Sequence, residues 1–226
     1  MRPFPYGKNR RRLLMSRRHK TIPEKTSVIT MIEVYLLRHG DTGAGQALAG
    51  ATDLPLATSA YAGLGPVRRL LADIRFDHIW CSPRLRCRQT LAAVLPGAEA
   101  EIVEELREVD FGLWEMRTFA EISAEYPDEI TRLAAWDNTF AFPGGEAIAA
   151  FLARVATARA RLAGLAQANN DQKILVVTHG GVIRQMLCGW LGIPSRHYLL
   201  FVVKPGKITT LSVYEDGGVL TGLNLG

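Results

Sequence analysis

Met31-Ile-Glu-Val-Tyr-Leu-Leu37 runs into Arg38-His39-Gly40, and Ile174-Leu-Val-Val-Thr178 runs into His179-Gly180-Gly181. Both runs are rich in Val, Ile and Leu with little polar alternation. That is the pattern of strands buried on both faces, and such strands belong to parallel sheets covered by helices. Ligands of open parallel sheets sit beyond the carboxyl ends of the strands, so His39 and His179 are expected to point into one crevice. Gly40, Gly180 and Gly181 allow close backbone approach, and the amides that open a helix after His179 can donate to an anion. Arg38 adds a fixed charge whose fork matches phosphate oxygens. One imidazole that can attack, next to cations that can neutralise oxygens, suits chemistry at phosphorus.

Outward from these two strands, the chain reads as alternating strands and helices. Residues 41–57 form a long loop rich in Gly, Ala, Thr and Asp, and residues 58–74 a helix. A short strand over 76–81 leads to Ser82-Pro83, which reads as an N-cap and first-turn proline opening a helix to Leu95. A third strand is expected at 101–103 and an irregular acidic and aromatic stretch at 106–115. Residues 119–136 read as helical with a break at Pro127. Pro143-Gly144-Gly145 is a turn, residues 146–168 an Ala-rich helix and 182–191 another. Residues 199–203 and 208–214 read as a closing hairpin or edge strands. The expected fold is a single-domain, three-layer α/β sandwich, its sheet mostly parallel with helices on both faces.

Of the 226 residues, 48% are hydrophobic and 22% charged, the composition of a well-packed globule. The net charge of +5 is unevenly placed: residues 1–30 hold nine Lys or Arg against Glu24 alone, so residues 31–226 carry a net −3. The basic pI thus belongs to the leader and gives no reason to expect a nucleic-acid partner for the domain. The leader lacks the apolar stretch of a secretion signal and is poor in large apolar residues, so it is expected to be a disordered arm outside the domain at 31–226. Its Arg-rich, acid-poor composition leaves an organellar transit peptide open, and translation from Met31 is another reading. Cys81, Cys87 and Cys188 form no C-x-x-C pair, which argues against a disulfide framework or a zinc site and fits a reducing cytoplasm. No run of 18 apolar residues exists, so no membrane span is expected.

A lone histidine is more often structural than catalytic, and His19, His78 and His197 are read that way. His39 and His179 differ because each sits on a strand-to-glycine turn. Arg38-His39-Gly40-Asp41-Thr42 resembles the R-H-G-[ED]-T signature of the histidine phosphatase superfamily, the phosphoglycerate-mutase-like proteins. Further matches follow in order: Asp53-Leu-Pro-Leu56, Cys81-Ser-Pro-Arg-Leu-Arg86-Cys-Arg-Gln-Thr90, Leu106-Arg-Glu108-Val-Asp-Phe-Gly112-Leu-Trp-Glu115, Pro143-Gly-Gly-Glu146 and Thr178-His-Gly-Gly-Val-Ile-Arg184.

The resemblance implies that His39 is the nucleophile that becomes phosphohistidine, that Arg38, Arg86, a protonated His179 and the Gly180 turn hold the phosphoryl oxygens, and that Glu108 protonates the leaving alkoxide. Spacing alone does not single out Glu108 among Glu104, Glu105, Asp110 and Glu115. The motif register selects Arg86 over Arg84 and Arg88, which are read as a solvated face, and Ser82 is read as a helix cap. No metal and no cofactor is implied, and the partner is a small phosphomonoester. Nothing in the sequence speaks to oligomeric state.

The family often places an Asn that contacts the phosphoryl group shortly after R-H-G-E-T, where this chain has Ala44 and Gly45, and Met116 stands where many members have Gly. Residues 136–143 carry neither the Arg nor the Tyr with which the mutases grip a carboxylated substrate, so a phosphatase is expected. Within the superfamily, the segments at 111–117, 143–146 and 179–184 most resemble the branch acting on α-ribazole 5′-phosphate or its corrinoid form. Broad-specificity sugar and small-molecule phosphatases share much of the pattern.

Overall fold

A computed structural model describes residues 31–136, 139–168 and 171–226. The leader at 1–30 lies outside the described residues.

The elements run β1 (Ile32–Arg38), α1 (Ala60–Gly63), α2 (Gly65–Leu71), β2 (His78–Cys81), α3 (Leu85–Val94), β3 (Glu101–Ile102), α4 (Phe119–Glu125), α5 (Pro127–Ala134), α6 (Ile148–Ala168), β4 (Gln172–Thr178), α7 (Gly180–Trp190), β5 (Ile208–Tyr214) and β6 (Gly217–Leu225). The strands form one sheet in the order β3-β2-β4-β1-β5-β6. The first four are mutually parallel, while β5 and β6 close the other side as an antiparallel pair. In register, Arg38 pairs with Thr178, so the two strands that carry the motif histidines end level with each other at the centre of the sheet.

The period of two along the central strands divides the core. Ile32, Val34, Leu36, Ile174 and Val176 face α6 and α7, whereas Leu37, Leu175 and Val177 face α1, α2 and α3. Helices therefore cover both faces, which is the expected three-layer α/β sandwich. No helix among the described residues is long and apolar enough to cross a membrane.

Four local expectations are corrected. The helix expected over 58–74 is two pieces, because Pro66 has no N–H to continue the ladder from Ala62. The helix after β2 begins at Leu85 with Arg84 at its N-cap, and its Leu85 amide is held by Asp53 Oδ1 at 2.6 Å from the long loop. Ser82 is therefore not the cap, and its hydroxyl is engaged elsewhere. The stretch expected as a strand at 199–203 begins inside a 3₁₀ helix over Ser195–Leu200 and forms no strand after it. The partner of β5 is instead β6, joined to it by a tight turn that pairs Tyr214 with Gly217. The break at Pro127 stands where proline chemistry places it, between α4 and α5.

Candidate active site

The carboxyl ends of β1, β2 and β4 meet at one point, and each delivers a polar side chain. Directly after β1, the His39 amide continues the ladder by donating to the Thr178 carbonyl at 2.9 Å. The Gly40 amide then donates to Thr90 Oγ1 on α3 at 2.9 Å. These two bonds fix the turn that presents the His39 ring. Its Nδ1 lies 2.7 Å from the Gly40 carbonyl, a partner that can only accept. The proton therefore sits on Nδ1, and the lone pair is on Nε2. Burial, reinforced by Arg86 and Arg38 and only partly offset by the Gly40 carbonyl, lowers the His39 pKa to about 3. The ring is neutral throughout the physiological range.

His179 follows β4 and is the N-cap of α7. Its ring centroid lies 5.1 Å from that of His39. The ring is fully buried, with Nδ1 accepting from Arg86 Nε at 3.3 Å and Nε2 at 2.8 Å from Ser82 Oγ. With Nδ1 as acceptor, the proton is on Nε2 and points at the Ser82 oxygen. Burial, together with His39 and the nearby arginines, holds the His179 pKa well below the ordinary value. The resemblance implies a protonated His179, whereas burial and the charges of Arg86, Arg84 and Arg154 favour the neutral ring before a phosphoryl group arrives.

Arg38 anchors one terminal nitrogen on the Val203 carbonyl at 2.7 Å, while its buried Nε has no partner. A buried N–H left open costs about 1–3 kcal/mol, which a ligand oxygen would recover. Arg86 is fully buried and uses its fork differently. Nη1 donates to the Thr52 carbonyl at 2.9 Å, and Nη2 to those of Ala49 and Gly50 at 3.1 and 2.9 Å. That leaves one Nη1 hydrogen uncommitted. Arg86 thus ties the long loop to His179.

The loop is braced from the other side by Glu115, whose carboxylate accepts from the amides of Gly50, Ala51, Thr52 and Phe111 and from the Thr52 hydroxyl. Burial alone would raise the pKa of Glu115, but the Thr52 hydroxyl and the ring of amides more than offset it and the net shift is downward.

Glu108 lies after the 3₁₀ turn Glu104–Leu106 that follows β3. Its Oε2 accepts from the Gly181 amide at 3.0 Å and its Oε1 from the Val109 amide at 3.2 Å. A Cβ on Gly181 would lie 2.5 Å from Oε1, so the second glycine of the motif leaves room for this carboxylate. Gly180 sits between two cations: a Cβ there would come within 3.3 Å of Arg38 Cζ and 3.4 Å of Arg184 Nη1. The Gly180 amide, at the first position of α7, has no partner inside the helix and is placed to donate to an anion.

All six residues expected at the site therefore converge, with Arg38, His39, Arg86, Glu108 and Gly180 lining one cavity of about 410 Å³ and His179 buried behind Arg86. Sequence reasoning gave no site role to Ser82, Arg184 or Glu115. Arg184 had a signal, since it stands four residues after Gly180 on the same helix face. Ser82 sits at the end of a third parallel strand. Glu115 had none, because apart from the Phe111 amide its partners lie more than sixty residues away, at 50–52. Away from the phosphoryl end, the cavity wall is apolar and aromatic, with Phe119, Trp136, Tyr198 and Leu199, and the Trp136 and Tyr198 rings lie 5.3 Å apart.

A profile described as the histidine phosphatase superfamily (branch 1) matches residues 34–226. The chain belongs to this superfamily. The phosphatase is 31% identical over 200 residues to the adenosylcobalamin/alpha-ribazole phosphatase of Salmonella typhimurium and 30% identical to that of Escherichia coli, each alignment covering 85% of this chain and 96% of the relative. Among solved structures, the alpha-ribazole phosphatase of Shigella flexneri superposes with a TM-score of 0.75 at 29% identity, covering 85% of this chain and 96% of that one. The protein is a phosphatase that acts on small phosphate esters.

Proposed function

We propose that this phosphatase, through its 31–226 domain, hydrolyses α-ribazole 5′-phosphate or its corrinoid form by way of a phosphohistidine on His39, without a metal ion. The observation that carries the mechanism is the neutral His39, its Nε2 lone pair unpaired, beside the unpartnered buried Nε of Arg38. In the first step Nε2 bonds to phosphorus, the bond from phosphorus to the ester oxygen breaks, and Glu108 gives a proton to the departing alkoxide. In the second, water attacks phosphorus and gives its proton back to Glu108, and the His39–phosphorus bond breaks. Arg38, Arg86, the Gly180 amide and His179 face the oxygens in both steps. The negative charge of the phosphoryl group favours the protonated form of His179, so the charge that burial and the arginines oppose on that ring is stabilised when substrate binds.

The aromatic wall supports the substrate assignment. A leaving group that ends in a fused aromatic base can stack on Trp136 and Tyr198. The names of the relatives point the same way. A cytoplasmic location agrees with the three free cysteines, Cys81, Cys87 and Cys188.

Two measurements test this. In a panel of α-ribazole 5′-phosphate, sugar phosphates, nucleotides and 3-phosphoglycerate, the first is expected to show the highest kcat/KM; 3-phosphoglycerate in that place would overturn the assignment. Glu108→Gln is expected to lose on the order of 10²–10⁴ in rate on an alkyl phosphate and far less on p-nitrophenyl phosphate, whose leaving group needs no proton. Equal losses would remove Glu108 from the acid role.

A further inference from the structure

Pro143-Gly-Gly-Glu146 and the helix behind it take no part in the steps above, yet they grip the segment that carries Glu108. Arg154, seven residues into α6, meets Glu146 in a two-pronged pair, Nε to Oε1 at 2.7 Å and Nη2 to Oε2 at 2.8 Å. Both side chains are nearly buried, at 11% and 10% exposure. The same guanidinium donates through Nη1 to the carbonyls of Glu105 and Arg107 at 3.0 and 2.5 Å, and through Nη2 to the carbonyl of Glu108 at 3.0 Å. All five of its N–H donors are thereby used.

Three carbonyl oxygens from 105–108 converge on one point, and only a planar fork can serve them together. A buried cation in turn needs an anion, which Glu146 supplies. Glu146 also accepts from the Asp110 amide at 3.3 Å, and its own amide donates to the Asp110 carbonyl at 2.9 Å. The glycines explain the closeness: a Cβ on Gly145 would lie 2.5 Å from the Asp110 carbonyl oxygen, and one on Gly112 would lie 2.2 Å from that of Pro143.

We infer that Arg154 and Glu146 are positioning residues for Glu108: they fix the backbone of 105–110 so that its carboxylate is held against the Gly181 amide at the mouth of the phosphoryl site. This rests on the acid role of Glu108 given above. Neither residue touches substrate. Arg154 also adds its charge to the field at His179, a charge that Arg154→Lys keeps, and the effect of the pair on the leaving group comes through where Glu108 stands.

The test uses Arg154→Lys, which keeps the charge but cannot span three carbonyls and a carboxylate, and Glu146→Gln, which keeps the shape. In each, kcat/KM on an alkyl phosphate is expected to fall at least about tenfold relative to that on p-nitrophenyl phosphate, a share of the general-acid effect. Adding Glu108→Gln to Arg154→Lys is expected to widen that ratio no further than Glu108→Gln alone. Hydrogen exchange at the Gly181 amide, whose acceptor is Glu108, is expected to accelerate at least about tenfold. Parallel losses on both substrates, or a Gly181 amide as protected as in the parent enzyme, overturn the inference. Should Glu108→Gln itself show no leaving-group dependence, the acid role fails, and Gly181 exchange still decides whether the pair positions Glu108. If Arg154→Lys does not fold, Glu146→Gln carries the same readouts.

Discussion

Arg86 donates from Nε to Nδ1 of His179 at 3.3 Å, with both groups fully buried. One contact sets the tautomer of the second histidine and joins it to the loop at 49–52, because the remaining nitrogens of Arg86 are committed to carbonyls there. The charge of Arg86 is close to the reacting group without being free to move toward it.

Glu115 is what keeps that loop in place. Glu115→Gln puts an amide nitrogen against a ring of donors and removes charge-assisted bonds worth about 1.5–3 kcal/mol each. Urea unfolding is expected to show a loss of about 2–4 kcal/mol, with kcat lowered about tenfold or more on alkyl and p-nitrophenyl phosphates alike, since Arg86 serves both. Wild-type stability and turnover would refute the bracing role.

The bond from His39 to the Gly40 carbonyl fixes which nitrogen is phosphorylated. Phosphoenzyme trapped with substrate and hydrolysed in alkali is expected to yield histidine phosphorylated at Nε2, and His39→Ala to yield no phosphoenzyme at all. Recovery of the Nδ1 isomer would contradict the tautomer read from the structure.

Two neutral buried histidines make stability depend on pH in a defined direction. An unfolded histidine titrates near 6.5, while folded His39 does so at about 3 and His179 well below its ordinary value. Between those limits the unfolded chain binds more protons, so stability falls as pH falls, by about 1.4 kcal/mol per pH unit for each histidine. The urea midpoint is expected to drop between pH 6.5 and pH 5, and His39→Gln to show a shallower dependence. An identical slope in the variant would mean that His39 is not buried neutral.

The sheet and its two histidines were legible because they depend on patterns local in sequence: unbroken apolar runs, a glycine after each histidine, and proline as a stop at 127. What stayed hidden depends on distant partners. Ser82 carries every local mark of an N-cap, and only the arrival of β4 beside β2 turns its hydroxyl to His179 instead. Residues 217–225 hold three glycines and alternate weakly, so nothing local marks β6, whose register is imposed by β5. The apolar run at 199–203 reads as a strand by composition, yet the edge it would occupy beside β5 is taken by β6. The downward shift of His179 is hidden for a related reason, since burial depends on packing, and the sequence around the ring shows none of it.

Gly50 bears on how this enzyme could be rebuilt. A Cβ there would fall 1.7 Å from the Val109 carbonyl oxygen, so the loop after β1 and the segment bearing Glu108 touch backbone to backbone. Neither can be transplanted alone. A chimera that borrows residues 41–57 from a relative to change substrate preference must bring 106–115 from the same parent, and the two segments are inherited by the active site as a single exchangeable part.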